Sequence, residues 1–165
     1  MITKKAIAAG AIAAALTASA AAAAQFELFG QAEGWNVFTK TDDKTCVIET
    51  RRDDLIVQMG VFANQEVGYI GVFTHEPDGV NASATGNFIV DFDGDVFAAD
   101  EVIMEGNDQG YSGVYIKANN PNFISDLANK KTMKVIDTER VFTLDLAGTK
   151  AAMAMGRECI AAANS

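Results

Sequence analysis

Proline occurs only twice, at Pro77 and Pro121, histidine once, at His75, tryptophan once, at Trp35, and cysteine twice, at Cys46 and Cys159. Each scarcity excludes something. A single imidazole cannot complete a two-histidine zinc motif, and a Ser-His-Asp triad would depend on His75 alone, beside Glu76 and a Pro77-Asp78-Gly79 turn that predicts an exposed loop. Two cysteines cannot build a thiolate metal cage. Basic residues are also few, 13 Lys and Arg against 22 Asp and Glu, and only Arg51-Arg52 and Lys130-Lys131 are adjacent. A nucleic-acid partner requires clustered cations to replace phosphate counterions, so none is expected. The net charge of -9 suits solubility first and a cationic partner second. No stretch beyond residue 24 approaches the about 18 apolar residues of a membrane-spanning helix.

The first residues carry Lys4 and Lys5, then an uncharged run from Ala6 to Leu16, then small residues at signal-peptidase spacing. Either Ala18-Ser19-Ala20 or Ala22-Ala23-Ala24 precedes the cut. We read residues 1–24 as a signal peptide and 25–165 as one exported domain, periplasmic or secreted. Loss of Lys4 and Lys5 takes the charge from -9 to -11. In an oxidising compartment an even pair of cysteines predicts a disulfide between Cys46 and Cys159, against the alternative of two separate thiols. Closing so long a loop contributes at most about 4 to 5 kcal/mol by chain entropy.

Short runs rich in Val, Ile, Phe and Tyr fill the region from Trp35 to Lys117, separated by Gly, Asn and Asp, and many alternate with period two. They predict strands at Trp35 to Lys40, Cys46 to Thr50, Leu55 to Phe62, Val67 to Thr74, Asn87 to Phe92, Asp95 to Ala98 and Tyr111 to Lys117. Asn119 or Asn120 caps a short helix that opens at Pro121, carries Phe123, Ile124 and Leu127, and ends at Asn129-Lys130. Strands Thr132 to Asp137 and Arg140 to Leu146 follow, with a turn at Asp137-Thr138-Glu139. The Ala- and Met-rich segment Thr149 to Ala163 predicts a final helix packed on the sheet. The fold class is α+β, mainly β: an antiparallel sheet or β-sandwich-like domain with a short helix and a C-terminal helix.

Candidate chemistry is thin. Asp91-Phe92-Asp93-Gly94-Asp95 resembles the start of a calcium loop, but the sixth and twelfth positions hold Val96 and Val102, where an EF-hand needs Gly and Glu. Its flanks make Asp93-Gly94 the centre of a two-residue hairpin. Met59, Met104, Met133, Met153 and Met155 are soft donors suited to Cu(I), yet they are unclustered and predict core filling. Asn81-Ala82-Ser83 matches a glycosylation sequon. Trp35 predicts a core or rim anchor. No catalytic, cofactor-binding or metal-ligating set is assigned.

Gly34-Trp35-Asn36-Val37, Cys46-Val47-Ile48, Phe123-Ile124, Lys130 through Val135, Phe142-Thr143-Leu144 and Leu146-Ala147-Gly148-Thr149-Lys150-Ala151-Ala152 together resemble the invasion-associated locus B family of exported alphaproteobacterial proteins. The resemblance implies a β-sandwich-like exported domain without established enzymatic activity, associated with the cell envelope or host contact. Three functions follow as expectations. The first is a non-enzymatic module that binds a protein or envelope component through its sheet face or loops. The second is a small-ligand carrier with a cavity between sheet and helix, lined by Phe62, Phe73 and Phe92. The third is an acidic-site hydrolase of envelope polymers.

Overall fold

The computed structural model describes residues 26–41, 44–52, 55–61, 68–75, 88–98, 101–106, 110–118, 120–136 and 141–165. The leader, Phe62, the Pro77 turn, the sequon and the Asp137-Thr138-Glu139 turn lie outside them. Strands β1 (Phe26–Ala32), β2 (Trp35–Lys40), β3 (Thr45–Arg52), β4 (Leu55–Val61) and β5 (Gly68–His75) form an antiparallel meander. It continues through β9 (Tyr111–Ala118) to β8 (Glu101–Gly106), giving a sheet, here sheet A, in the order β1-β2-β3-β4-β5-β9-β8. A second sheet, sheet B, joins β6 (Ile89–Phe92), β7 (Asp95–Ala98), β10 (Thr132–Ile136) and β11 (Val141–Asp145) in the order β11-β10-β6-β7. Helix α1 (Pro121–Asn129) lies between β9 and β10, and α2 (Thr149–Ala163) closes the chain. The fold is thus α+β, mainly β, and sandwich-like.

Both helices match the expected bounds because their signals are local. The side chain of Asn120 accepts the Asn122 amide at 3.0 Å, Pro121 occupies the first turn where its missing N–H costs nothing, and Phe123 and Leu127 are buried. In α2, Thr149, Ala152, Met153, Gly156 and Cys159 form the buried stripe. Small residues at that spacing bring the helix close to the sheet: a Cβ on Gly156 would stand 2.7 Å from Ile48 Cδ1.

Period-two alternation sends Trp35, Val37, Ile48, Val57, Met59, Ile70, Val72, Val114 and Ile116 of sheet A inward. There they meet Val90 and Phe92 of β6, Met133 and Val135 of β10, Leu144 of β11, and both helices, in one core. Phe92, Phe97 and Phe123 pack edge to face, with centroids 5.2 to 5.9 Å apart. Met59, Met133 and Met153 are buried here, and the sulfur of the partly buried Met155 sits over Gly30. These four methionines fill space, as expected.

Two elements differ from expectation. Strands β1 and β8 were not anticipated, because β1 reads Phe-Glu-Leu-Phe-Gly-Gln-Ala and β8 is flanked by acidic residues, so neither alternates cleanly. Strand β4 carries buried Val57 and Met59 on the core face, yet Ile56 and Gly60 on the other face are buried too.

The start of β2 and the start of α2 meet at one corner. Trp35 Nε1 donates to the Ala147 carbonyl at 2.9 Å, and Thr149 Oγ1 donates within reach of the Leu127 and Leu146 carbonyls at 2.7 and 2.9 Å. Gly148 takes a left-handed conformation, φ 83°, and a Cβ there would stand 2.6 Å from the Glu33 carbonyl oxygen. The expectation is that Gly148→Ala destabilises the protein by about 1–3 kcal/mol, measured by chemical denaturation, through combined φ strain and collision.

Candidate functional site

The sulfurs of Cys46 and Cys159 lie at disulfide distance, 1.97 Å, with their Cα atoms 6.2 Å apart. The pair ties β3 to the last turns of α2 across 113 residues of sequence. Both cysteines are buried, and the Thr39 hydroxyl stands 3.4 Å from the Cys159 sulfur. The pair is buried and joins two packed elements, so the geometry serves architecture. Beside it, Cys46, Ile48, Gly60, Met153, Gly156, Arg157 and Ile160 line a crevice of about 10 Å³, room for one water molecule. Replacing both cysteines by Ala should lower unfolding free energy by about 2–5 kcal/mol, read by denaturant titration in oxidising buffer.

The acidic hairpin holds no pattern of converging ligands. Asp93 and Gly94 both have positive φ, 51° and 101°, and connect Phe92 to Asp95 as the expected two-residue turn. The Asp91 carboxylate accepts the Gly94 amide at 2.6 Å. Asp93 accepts the Thr132 hydroxyl and the Lys131 amide, the latter at 2.8 Å, and so fastens the turn to the start of β10. Asp95 pairs with Lys130, and Asp91 with Lys134 at 3.9 Å. The carboxylates are thus directed at separate protein partners. Among the described residues no group of three or more His, Cys, Asp or Glu is arranged around a metal position.

The Thr132 hydroxyl, assisted by the Lys131 amide, holds the Asp93 carboxyl below its ordinary range. The hydrogen bond from Lys130 to Asp95 raises the Lys130 ammonium above its own. A depressed carboxyl stabilises the fold above its ordinary unfolded pKa of 3.8, and that contribution disappears as pH falls through the lower folded value. Asp93→Asn keeps the turn geometry and removes the charge. Its unfolding midpoint should therefore fall below that of the parent at pH 7, and the two should converge on acidification below pH about 4, followed by thermal melts.

His75 closes β5 rather than sitting in a loop; it is exposed, and its ring lies 4.5 Å from that of Tyr111. The nearest aliphatic hydroxyls in register, Thr74 and Ser112, are buried on the opposite face. Trp35 is a core anchor, 1% exposed. The adjacent cations are engaged: Arg51 with Glu49, Arg52 with Asp145 and Lys130 with Asp95. Phe73 and Phe92 do not line a common cavity. Phe92 is in the core, whereas Phe73 stands on the outer face of sheet A against Tyr115.

That outer face is organised into cross-strand rows, a feature that pattern reading alone missed. Register pairs Leu28 with Phe38 and Phe38 with Val47, and Gly60 with Tyr69 and Tyr69 with Lys117; carried one step past the Ile48–Met59 pair, the β3–β4 register joins the two sets into one row. Two residues along, Gln31, Asn36, Glu49, Gln58, Gly71 and Tyr115 form a second. In this polar row Gln31 donates to Asn36 at 2.7 Å, Gln58 donates to Glu49 at 2.8 Å, and Tyr115 donates to Gln58 at 2.5 Å. The Tyr115 side chain crosses the gap over Gly71 to do so, and Tyr69 covers Gly60. Tyr115 also packs edge to face with Tyr69 and Phe73, centroids 5.7 and 5.0 Å away. Helix α2 and sheet B pack against the opposite face. The signal for this arrangement was present in the sequence as Gly alternating with aromatics in β4, β5 and β9, but only strand order converts it into rows.

A scan against protein-family models found no match, and searches of curated proteins and of solved structures likewise returned none. Among the described residues no helix is long and apolar enough to cross a membrane.

Proposed function

We propose that the protein is a non-enzymatic, exported envelope protein that binds another protein or an envelope component through the outer face of sheet A. One observation carries this reading: the face turned away from α2 and sheet B bears an ordered apolar row, with Leu28 58% exposed and Phe38, Val47 and Tyr69 half-buried, beside a row of amide, carboxylate and phenol groups. Apolar and tyrosine contacts next to planar polar groups are what recognition surfaces concentrate. The polar row is already bonded to itself, which holds its side chains in place before a partner arrives.

Export supports the reading through the basic, apolar and small-residue order of residues 1–24 and through the buried Cys46–Cys159 pair. The resemblance to the invasion-associated locus B family is consistent with it. The residues that carry the resemblance include Gly34, Trp35, Ala147, Gly148 and Thr149, which meet at the closing corner of the fold. A hydrolase reading is not favoured by the hairpin carboxylates, since Asp93 is displaced downward, opposite to a general acid.

Photo-cross-linking residues introduced at Phe38 and Val47 should capture a saturable envelope partner, while the same probe at Lys150 on α2 should not. Equal capture at all three positions, or none at the two sheet positions, contradicts the proposal.

A further inference from the structure

Among the described residues sheet A ends at β1, which pairs on one side with β2. The other sheet ends carry protection. Strand β7 has four residues and its first, Asp95, pairs with Lys130; β11 ends at Asp145, held by Arg52; β8 carries Glu101 and Glu105. Strand β1 has seven residues with neither Lys nor Pro, and its Phe26, Leu28 and Phe29 are 45%, 58% and 41% exposed. Natural edges are blunted by short length, Lys, Pro or a covering element, and β1 has none of the first three. We infer that β1 accepts an extended segment of a partner protein as an added strand, with apolar side chains on the outer face of sheet A and cationic ones on the face toward α2.

The edge itself selects the class of occupant. A strand end presents backbone N–H and C=O groups at the spacing of a polypeptide, a pattern that an extended peptide matches along its length and a glycan or lipid headgroup does not. The two faces of β1 then set the side chains. Leu28 pairs with Phe38 and Phe38 with Val47, so the apolar row runs off the sheet at this edge, and an apolar residue on the added strand extends it. Phe26 lies on the same outer face, two residues before Leu28.

Glu27 lies on the other face, opposite Thr39, whose hydroxyl stands beside the Cys159 sulfur of α2. From Phe26 to Gly34 the chain carries Glu27 and Glu33 and no Lys or Arg. Among the described residues neither acid is in an ion pair. In a chain of net charge -9, a cation directly across from Glu27 is the complementary choice. The irregularity between Leu28 and Gly30 breaks the ladder there, so the most regular pairing is with Phe26, Glu27 and Leu28.

This inference rests on the reading of sheet A as a docking face and narrows its partner to a protein segment. The probe is an acetylated, amidated heptapeptide of alternating valine and lysine, followed by fluorescence anisotropy, with hydrogen exchange to locate it. It should bind saturably and slow exchange at the amides of Phe26 to Phe29. The same peptide N-methylated at every internal amide keeps its charge and side chains but loses the ladder, and should bind about tenfold or more weaker. Glu27→Lys, at an exposed position, should transfer the preference to a peptide of alternating valine and glutamate. Equal binding of the N-methylated peptide, protection confined to other strands, an unchanged preference in Glu27→Lys or no saturable binding overturns the inference. The two readings fail separately: partner capture at Phe38 and Val47 without peptide pairing strikes the edge alone, and peptide pairing without that capture strikes the docking face alone.

Discussion

Everything in this fold depends on the docking of the last helix onto the first strands. Helix α2 lies across β1 to β4, and its small-residue stripe allows an approach that a larger side chain at Gly156 would oppose. The contact is held at both ends. Near its start, Trp35 hydrogen-bonds Ala147 and Gly148 fits under the Glu33 carbonyl; near its end, Cys159 meets Cys46. Without α2, the inner faces of β1 to β3 would present Val37, Ile48 and Trp35 to water. The core of the N-terminal meander is thus complete only when the C-terminus has been made.

This dependence also separates the two faces of sheet A. One is committed to the core by α2, α1 and sheet B, and its residues are the aliphatic and methionine side chains that such packing selects. The other carries tyrosines, amides and charged groups in register, alongside the buried Ile56 and Phe73. Glycines at 60 and 71 would weaken central strands if left bare. Tyr69 and Tyr115 cover them, so the rings stabilise the sheet and arm its surface together.

Much of the architecture was legible because its signals are local. Asn120-Pro121 marks a helix start, Asp93-Gly94 a two-residue turn, and alternation of Val57 and Met59 a core-facing strand. The bounds of β2, β7, α1 and α2 follow directly from such signals. Strands β1 and β8 escaped because their pairing is set by neighbours rather than by their own alternation. The candidate site escaped more completely. Leu28, Phe38, Val47 and Tyr69 are scattered over some forty residues of sequence, and become a row only through strand order and register. His75, the Asp91 to Asp95 run and the methionines drew attention as residue types; the Asp91 to Asp95 carboxylates fasten a turn, and Met59, Met133, Met153 and Met155 fill space in the core.

The central claim is that the C-terminal helix is clamped to the N-terminal strands through Cys46 and Cys159. Non-reducing peptide mapping of the natively expressed protein tests it most directly. The account predicts one linked species joining the peptide that contains Cys46 to the peptide that contains Cys159, converted to two separate peptides by reductant. Recovery of both cysteines as free thiols from oxidised, folded material would contradict it.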